Sequence, residues 1–70
     1  MNLNQAELGK EYIILDIQTG DSELEAFLFS LGCYSGEKIT VVNHLKGGCV
    51  VVIKDGRYSF DRQLAETIHI

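Results

Sequence analysis

From Gly36 to its end the sequence alternates short β-branched runs with turns, and no other feature limits the possible folds as much. Residues 38–44, KITVVNH, read as one strand, with Ile39 and Val41 on one face and Thr40 and Val42 on the other. Residues 45–48 hold a Gly47-Gly48 pair and read as a turn. The run 49–54, CVVVIK, is continuously apolar over its first five positions, the pattern of a strand covered on both sides. Asp55-Gly56 then predicts a tight hairpin, because a type I′ turn needs positive φ at both central positions. Residues 57–60 return as a strand. Asp61 is placed to cap a short helical turn, RQLAE, before a last strand over 67–70.

The first half carries one more strand and the one strong helix. Residues 11–18, EYIILDIQ, predict a strand with Ile13, Leu15 and Ile17 on one face and Tyr12 and Ile14 on the other. Thr19, Gly20 and Asp21 break it. Ser22 followed by Glu25 has capping-box spacing, and Leu24, Phe27, Leu28 and Leu31 form a stripe at i, i+3, i+4 and i+7. Gly32 suits the C′ position, where a left-handed residue closes a helix. Phe29 lies off the stripe; it either widens the buried face or is an exposed contact, and the first reading is preferred. About five strands and one or two short helices, without βαβ alternation, predict a mainly β chain closed as a small barrel.

The chain has 70 residues, one domain over 1–70, and a core of this size contributes only ~3–5 kcal/mol net. A formal charge of -4 with scattered basic residues argues against nucleic acid, which needs clustered Lys and Arg. Lys54 and Arg57, neighbours across a turn, are the nearest approach to a basic patch, and two solvated hairpin charges explain them more simply. No basic-then-apolar leader opens the sequence and no apolar run reaches membrane-spanning length, so a cytoplasmic protein without membrane insertion is expected. Cys33 and Cys49 lack C-x-x-C partners and read as reduced, half-buried thiols.

No set of residues announces catalysis. Ser22, Ser30, Ser35 and Ser59 lack G-x-S-x-G or S-x-x-K surroundings. Cys33 or Cys49 with His44 would make a thiolate pair only if the fold brought them together. Gly47-Gly48 lacks the Gly-Lys-Ser/Thr of a phosphate loop. His44, Cys33 and Cys49 are also the weak metal candidates for Fe(II) or another divalent ion, without the close spacing of a strong site.

The pattern as a whole resembles the FeoA family, small ferrous-iron transport proteins of bacteria. The resemblance runs through Gly9, Ile14-x-x-Ile17, LFSLGCYSG, KITVVNH and the closing CVVVIKDGRYSFDRQLAETIHI. Its most telling parts are Leu28-x-x-Leu31-Gly32-Cys33-x-x-Gly36 and Leu64-Ala65-x-x-Ile68-x-Ile70. Ser35 stands where proline is common, Cys33 where a larger apolar residue is usual, and Ala6 where leucine is frequent. The resemblance implies an SH3-like barrel and a non-enzymatic accessory to FeoB, the membrane transporter with a cytosolic GTPase domain. The alternative is a metal-sensing domain, since the same barrel ends the iron-dependent repressors. SH3-like barrels dock partners with exposed aromatics. Tyr34 is therefore the leading contact candidate, with Phe29, Tyr58, Lys54 and Arg57 beside it. Tyr58 and Phe60 share a strand face, so at least one of them belongs to the core.

Overall fold

The computed structural model describes residues 1–70. A 3-10 turn, Leu3–Gln5, opens the chain, capped reciprocally by the Asn2 and Gln5 side chains. The strands are β1 (Glu11–Ile13), β2 (Asp16–Ile17), β3 (Lys38–Leu45), β4 (Gly48–Ile53), β5 (Gly56–Asp61) and β6 (Ile68–His69). The helices are α1 (Ser22–Ser30) and α2 (Arg62–Thr67). One sheet runs β1-β3-β4-β5 and a second pairs β2 with β6, all antiparallel. The mainly β barrel expected from the sequence is present, with six strands where about five were anticipated.

The extra strand arises where residues 11–18 split. At Ile14 the chain still bonds the β3 side, its N–H donating to the Glu37 carbonyl at 2.8 Å. At Leu15 it switches, donating to His69 at 2.8 Å. The predicted single strand is thus a corner between two sheets. Its inward face is also the opposite of the simpler hydrophobic count: Ile14 is buried and Tyr12 half-buried, while Ile13 and Leu15 are exposed. A corner turns the side-chain alternation, so three apolar residues on one nominal face do not make that face the core.

Further along, β3 carries a bulge between Val41 and Asn43 that leaves Val42 exposed. β4 is buried on one face only: Cys49, Val51 and Ile53 point inward, while Val50 and Val52 are half-exposed. The second, solvent-facing side of the sheet has no covering layer. The β4–β5 turn is Lys54-Asp55, not Asp55-Gly56, and the positive φ (+53°) falls on Lys54. Gly56 instead begins β5, where a Cβ would collide with the Tyr58 ring. Gly48 is needed for a similar reason, since a Cβ there would run into the Phe60 carbonyl and stand 2.8 Å from Asp61 Cα.

The caps also differ in detail. Asp21, not Ser22, is the N-cap of α1, accepting from the N–H groups of Glu23 and Leu24. Asp61 caps α2 as expected, accepting from Leu64 N–H at 2.8 Å. The core joins Leu3, Ala6, Ile14, Leu28, Cys33, Ile39, Val41, Cys49, Val51, Ile53, Phe60, Ala65 and Ile68. Of the predicted helix stripe only Leu28 is fully buried; Leu24 and Leu31 pack at the core margin and Phe27 is exposed.

Candidate docking surface at the end of the helix

Helix α1 stops in a way that sets the geometry around it. Gly32 takes φ +89° and its N–H donates to Phe29 at 3.0 Å, while Cys33 N–H donates to Leu28 at 2.9 Å. This pair of bonds is a Schellman closure, which turns the chain back across the helix end. Cys33 follows Leu28 into the core, and the next residue, Tyr34, is left half-exposed beside the last helical turn.

There Tyr34 meets Phe29. Their ring centroids lie 4.8 Å apart at an interplanar tilt of 30°. Phe29 is 65% exposed, so the preferred expectation that it widens the buried face is overturned. A nine-residue helix end presents one face to the core, and Leu28 occupies that face. Phe29, a step of about 100° further round, is turned to solvent and to Tyr34.

Lys54 enters from the β4–β5 turn. Its stem lies over Gly32, so that a Cβ there would stand 3.0 Å from both Lys54 Cδ and Cε. Its ammonium sits 5.4 Å from the centroid of the Tyr34 ring, donates to the Tyr34 hydroxyl at 3.3 Å, and lies 3.9 Å from Glu37 Oε2. The hydrogen bond to Tyr34, helped by the Glu37 carboxylate, raises the Lys54 pKa and holds the charge on. Ile17, Glu25, Phe29, Cys33, Tyr34 and Ser35 line a shallow cleft of about 210 Å³ alongside, and four of the six are hydrophobic. None of the other surface clefts has more than two hydrophobic lining residues.

Three of the five candidate contact residues, Phe29, Tyr34 and Lys54, are therefore brought together. The other two are not. Tyr58 folds inward over Gly56 and is half-buried, with Phe60 on the same face fully in the core. Arg57 is exposed on the opposite face of β5. Glu37 carries no sequence signal, and Glu25 and Ile17, legible as a capping-box residue and a strand residue, have nothing in the sequence to place them in a shared cleft. The sequence identifies Gly32 as a helix stop, but not as the seat of the Lys54 stem.

The metal candidates do not gather. No group of three or more His, Cys, Asp or Glu side chains forms a ligand set. His44 lies opposite Cys49 in the β3–β4 ladder, and its Nε2 donates to the Ala6 carbonyl at 2.8 Å. Both cysteines are unpaired by disulfide and fully buried, not half-buried as expected. Burial pushes the Cys33 thiol up to about 11 and raises Cys49 as well. A reactive thiolate needs a shift in the other direction. The arrangement at the end of α1 can bind an apolar or aromatic group beside a fixed cation.

The FeoA domain family matches residues 1–70. Among solved structures, the iron(II) transport protein A of Clostridium thermocellum superposes with a TM-score of 0.87 at 22% identity over 99% of this chain. The chain spans 43% of that protein's length. An iron uptake regulatory protein, FeoA, superposes with a TM-score of 0.84 at 22% identity, covering 97% of this chain and 91% of that one. Stenotrophomonas maltophilia FeoA complexed with zinc, described as a prokaryotic SH3 domain protein, gives 0.81 at 16% identity, covering 97% and 86%. The shared fold is the SH3-like barrel. A search of curated proteins found no match.

Proposed function

The chain belongs to the FeoA family, and on that premise we propose that it is a cytoplasmic, non-enzymatic accessory of ferrous iron uptake that docks on the GTPase domain of a FeoB-type transporter. The observation carrying this reading is the Phe29–Tyr34–Lys54 cluster beside an apolar cleft. Exposed aromatic pairs with a neighbouring cation are what protein interfaces use as anchors, because they bring large area at small entropy cost. In this reading Phe29 and Tyr34 give the apolar contact, and Lys54, held by Tyr34 and Glu37, meets an acidic or carbonyl-rich patch on the transporter. Docking modulates assembly of the transporter or its nucleotide turnover.

The test is a calorimetric titration of the chain into the cytosolic GTPase domain of the matching transporter, with and without anaerobic ferrous iron. Saturable heat that Tyr34→Ala diminishes supports the reading. Heat that is the same in Tyr34→Ala and Phe29→Ala would move the docking surface elsewhere. Absence of heat with the GTPase domain would overturn it.

A further inference from the structure

The outer edge of the four-stranded sheet is open at β5. The two-residue turn Lys54-Asp55 makes Ile53 and Gly56 a hydrogen-bonded pair, so Val51–Tyr58 and Cys49–Phe60 are hydrogen-bonded pairs as well. Arg57, Ser59 and Asp61 alternate with these and turn their backbone groups away from β4. The Arg62 N–H bond to Gly47, 2.9 Å, continues the same alternation past the strand end. No strand other than β4 pairs with β5, and none of the turn, loop or cap bonds uses Arg57 or Ser59. All three outward residues are exposed.

A row of free N–H and C=O groups is a template for another strand, and the side chains on this one select which. Arg57 is positive, Asp61 negative, and Ser59 stands neutral between them. We propose that β5 pairs antiparallel with β5 of a second copy of this chain, about a two-fold axis through Ser59. The Ser59 residues then exchange reciprocal N–H···O=C bonds, and each Asp61 N–H donates to the Arg57 carbonyl of the other copy. The Asp61 carbonyl takes no part, because as the α2 N-cap it already accepts within the helix.

This register places each Arg57 beside Asp61 of the second copy, on the same face of the joined sheet. Arg57 makes no ion pair within its own chain. Asp61 uses Oδ1 for Leu64 N–H, which leaves Oδ2 for the guanidinium. Centring the axis on Arg57 or on Asp61 would set like charges face to face, and pairing Ser59 with either would lose both ion pairs. The strand is thus self-complementary in one register, as a two-fold contact requires. On the other face the half-buried Tyr58 stands next to Phe60 of the second copy. The contact uses neither Phe29 nor Tyr34, so its failure and that of the docking proposal are separate events.

Sedimentation equilibrium of the intact chain, from micromolar to millimolar concentration, tests the contact. A reversible dimer that weakens with salt is expected. Arg57→Glu sets like charges at both ends and should weaken the dimer about tenfold or more. Ser59→Pro removes the outward N–H at the axis and no bond to β4, a position where edge strands accept proline. It should abolish the dimer and keep the circular dichroism spectrum of the parent. A monomer at every concentration, or a dimer that either variant leaves intact, overturns the proposal. The monomer result would leave the edge to a strand from a different protein.

Discussion

The stem of Lys54 rests on Gly32, with Cδ and Cε each 3.0 Å from where a Cβ would stand. Through this one approach the β4–β5 turn is locked to the end of α1, and the ammonium is delivered to Tyr34 and Glu37. Gly32→Ala challenges both sides of the contact. The left-handed φ of +89° costs an alanine about 1–2 kcal/mol, and the new methyl group pushes the lysine stem aside. Urea unfolding should show a loss somewhat larger than that backbone cost. In a Lys54→Ala background the steric part vanishes and the backbone part stays, so the double-mutant cycle should give a non-zero coupling.

Phe29 and Tyr34 are separable from the fold. Phe29→Ala removes an exposed ring and should change stability by no more than about 0.5 kcal/mol. Its effect on docking should be far larger, about 1–3 kcal/mol of binding energy, the range for an aromatic anchor. Lys54→Asn is the sharper probe of the cation, since asparagine tolerates the positive φ of that turn and keeps the backbone. Weaker binding with a small loss of stability, from the exposed contacts of the lysine, is the expected outcome, read by calorimetry and urea titration.

Much of this architecture is legible in the amino-acid sequence. Gly32 marks the helix stop, Asp61 the cap of α2, and the alternation of Ile39 and Val41 the inward face of β3, because each rests on local backbone chemistry. The departures fall where tertiary geometry overrides local pattern. Residues 11–18 look continuous, but closing the barrel turns the chain at Ile14, and the face buried is Tyr12–Ile14. Phe27 keeps helical spacing yet is exposed; a short α1 buries a stripe only as wide as Leu24, Leu28 and Leu31. At the candidate site Tyr34 is identifiable from its place after the helix cap. Its partners are not, because Glu37 and the cleft residues Ile17 and Glu25 come from separate elements.

Gly48 should tolerate no side chain. Unlike Gly32, where the neighbour is a flexible lysine, Gly48 faces the Phe60 carbonyl and Asp61 Cα, both backbone. Gly48→Ala would have to open the β4–β5 ladder at the point where Cys49 pairs with Phe60. A loss of about 3 kcal/mol or more is expected, a large share of the stability of so small a domain. Thermal unfolding by circular dichroism checks it, with Gly47→Ala as the control, because the space around Gly47 is open.

Cys33 couples the fold to alkaline pH. Its thiol is buried behind the helix cap, and burial lifts its pKa from 9.0 to about 11. The sign follows from which form the core accepts. Between these two values the unfolded chain releases the proton and the folded chain holds it, so the unfolded state binds fewer protons and stability falls as pH rises. The contribution is complete below pH 9 and lost by about pH 11, a change of about 2–3 kcal/mol. Cys49 is shifted in the same direction by burial and adds to the slope. Urea midpoints measured at steps between about pH 8 and pH 11 should therefore decline in the parent and decline less in Cys33→Ala, although that variant begins less stable at neutral pH because of the cavity it leaves. Equal slopes in the two proteins would mean that Cys33 ionises as readily folded as unfolded.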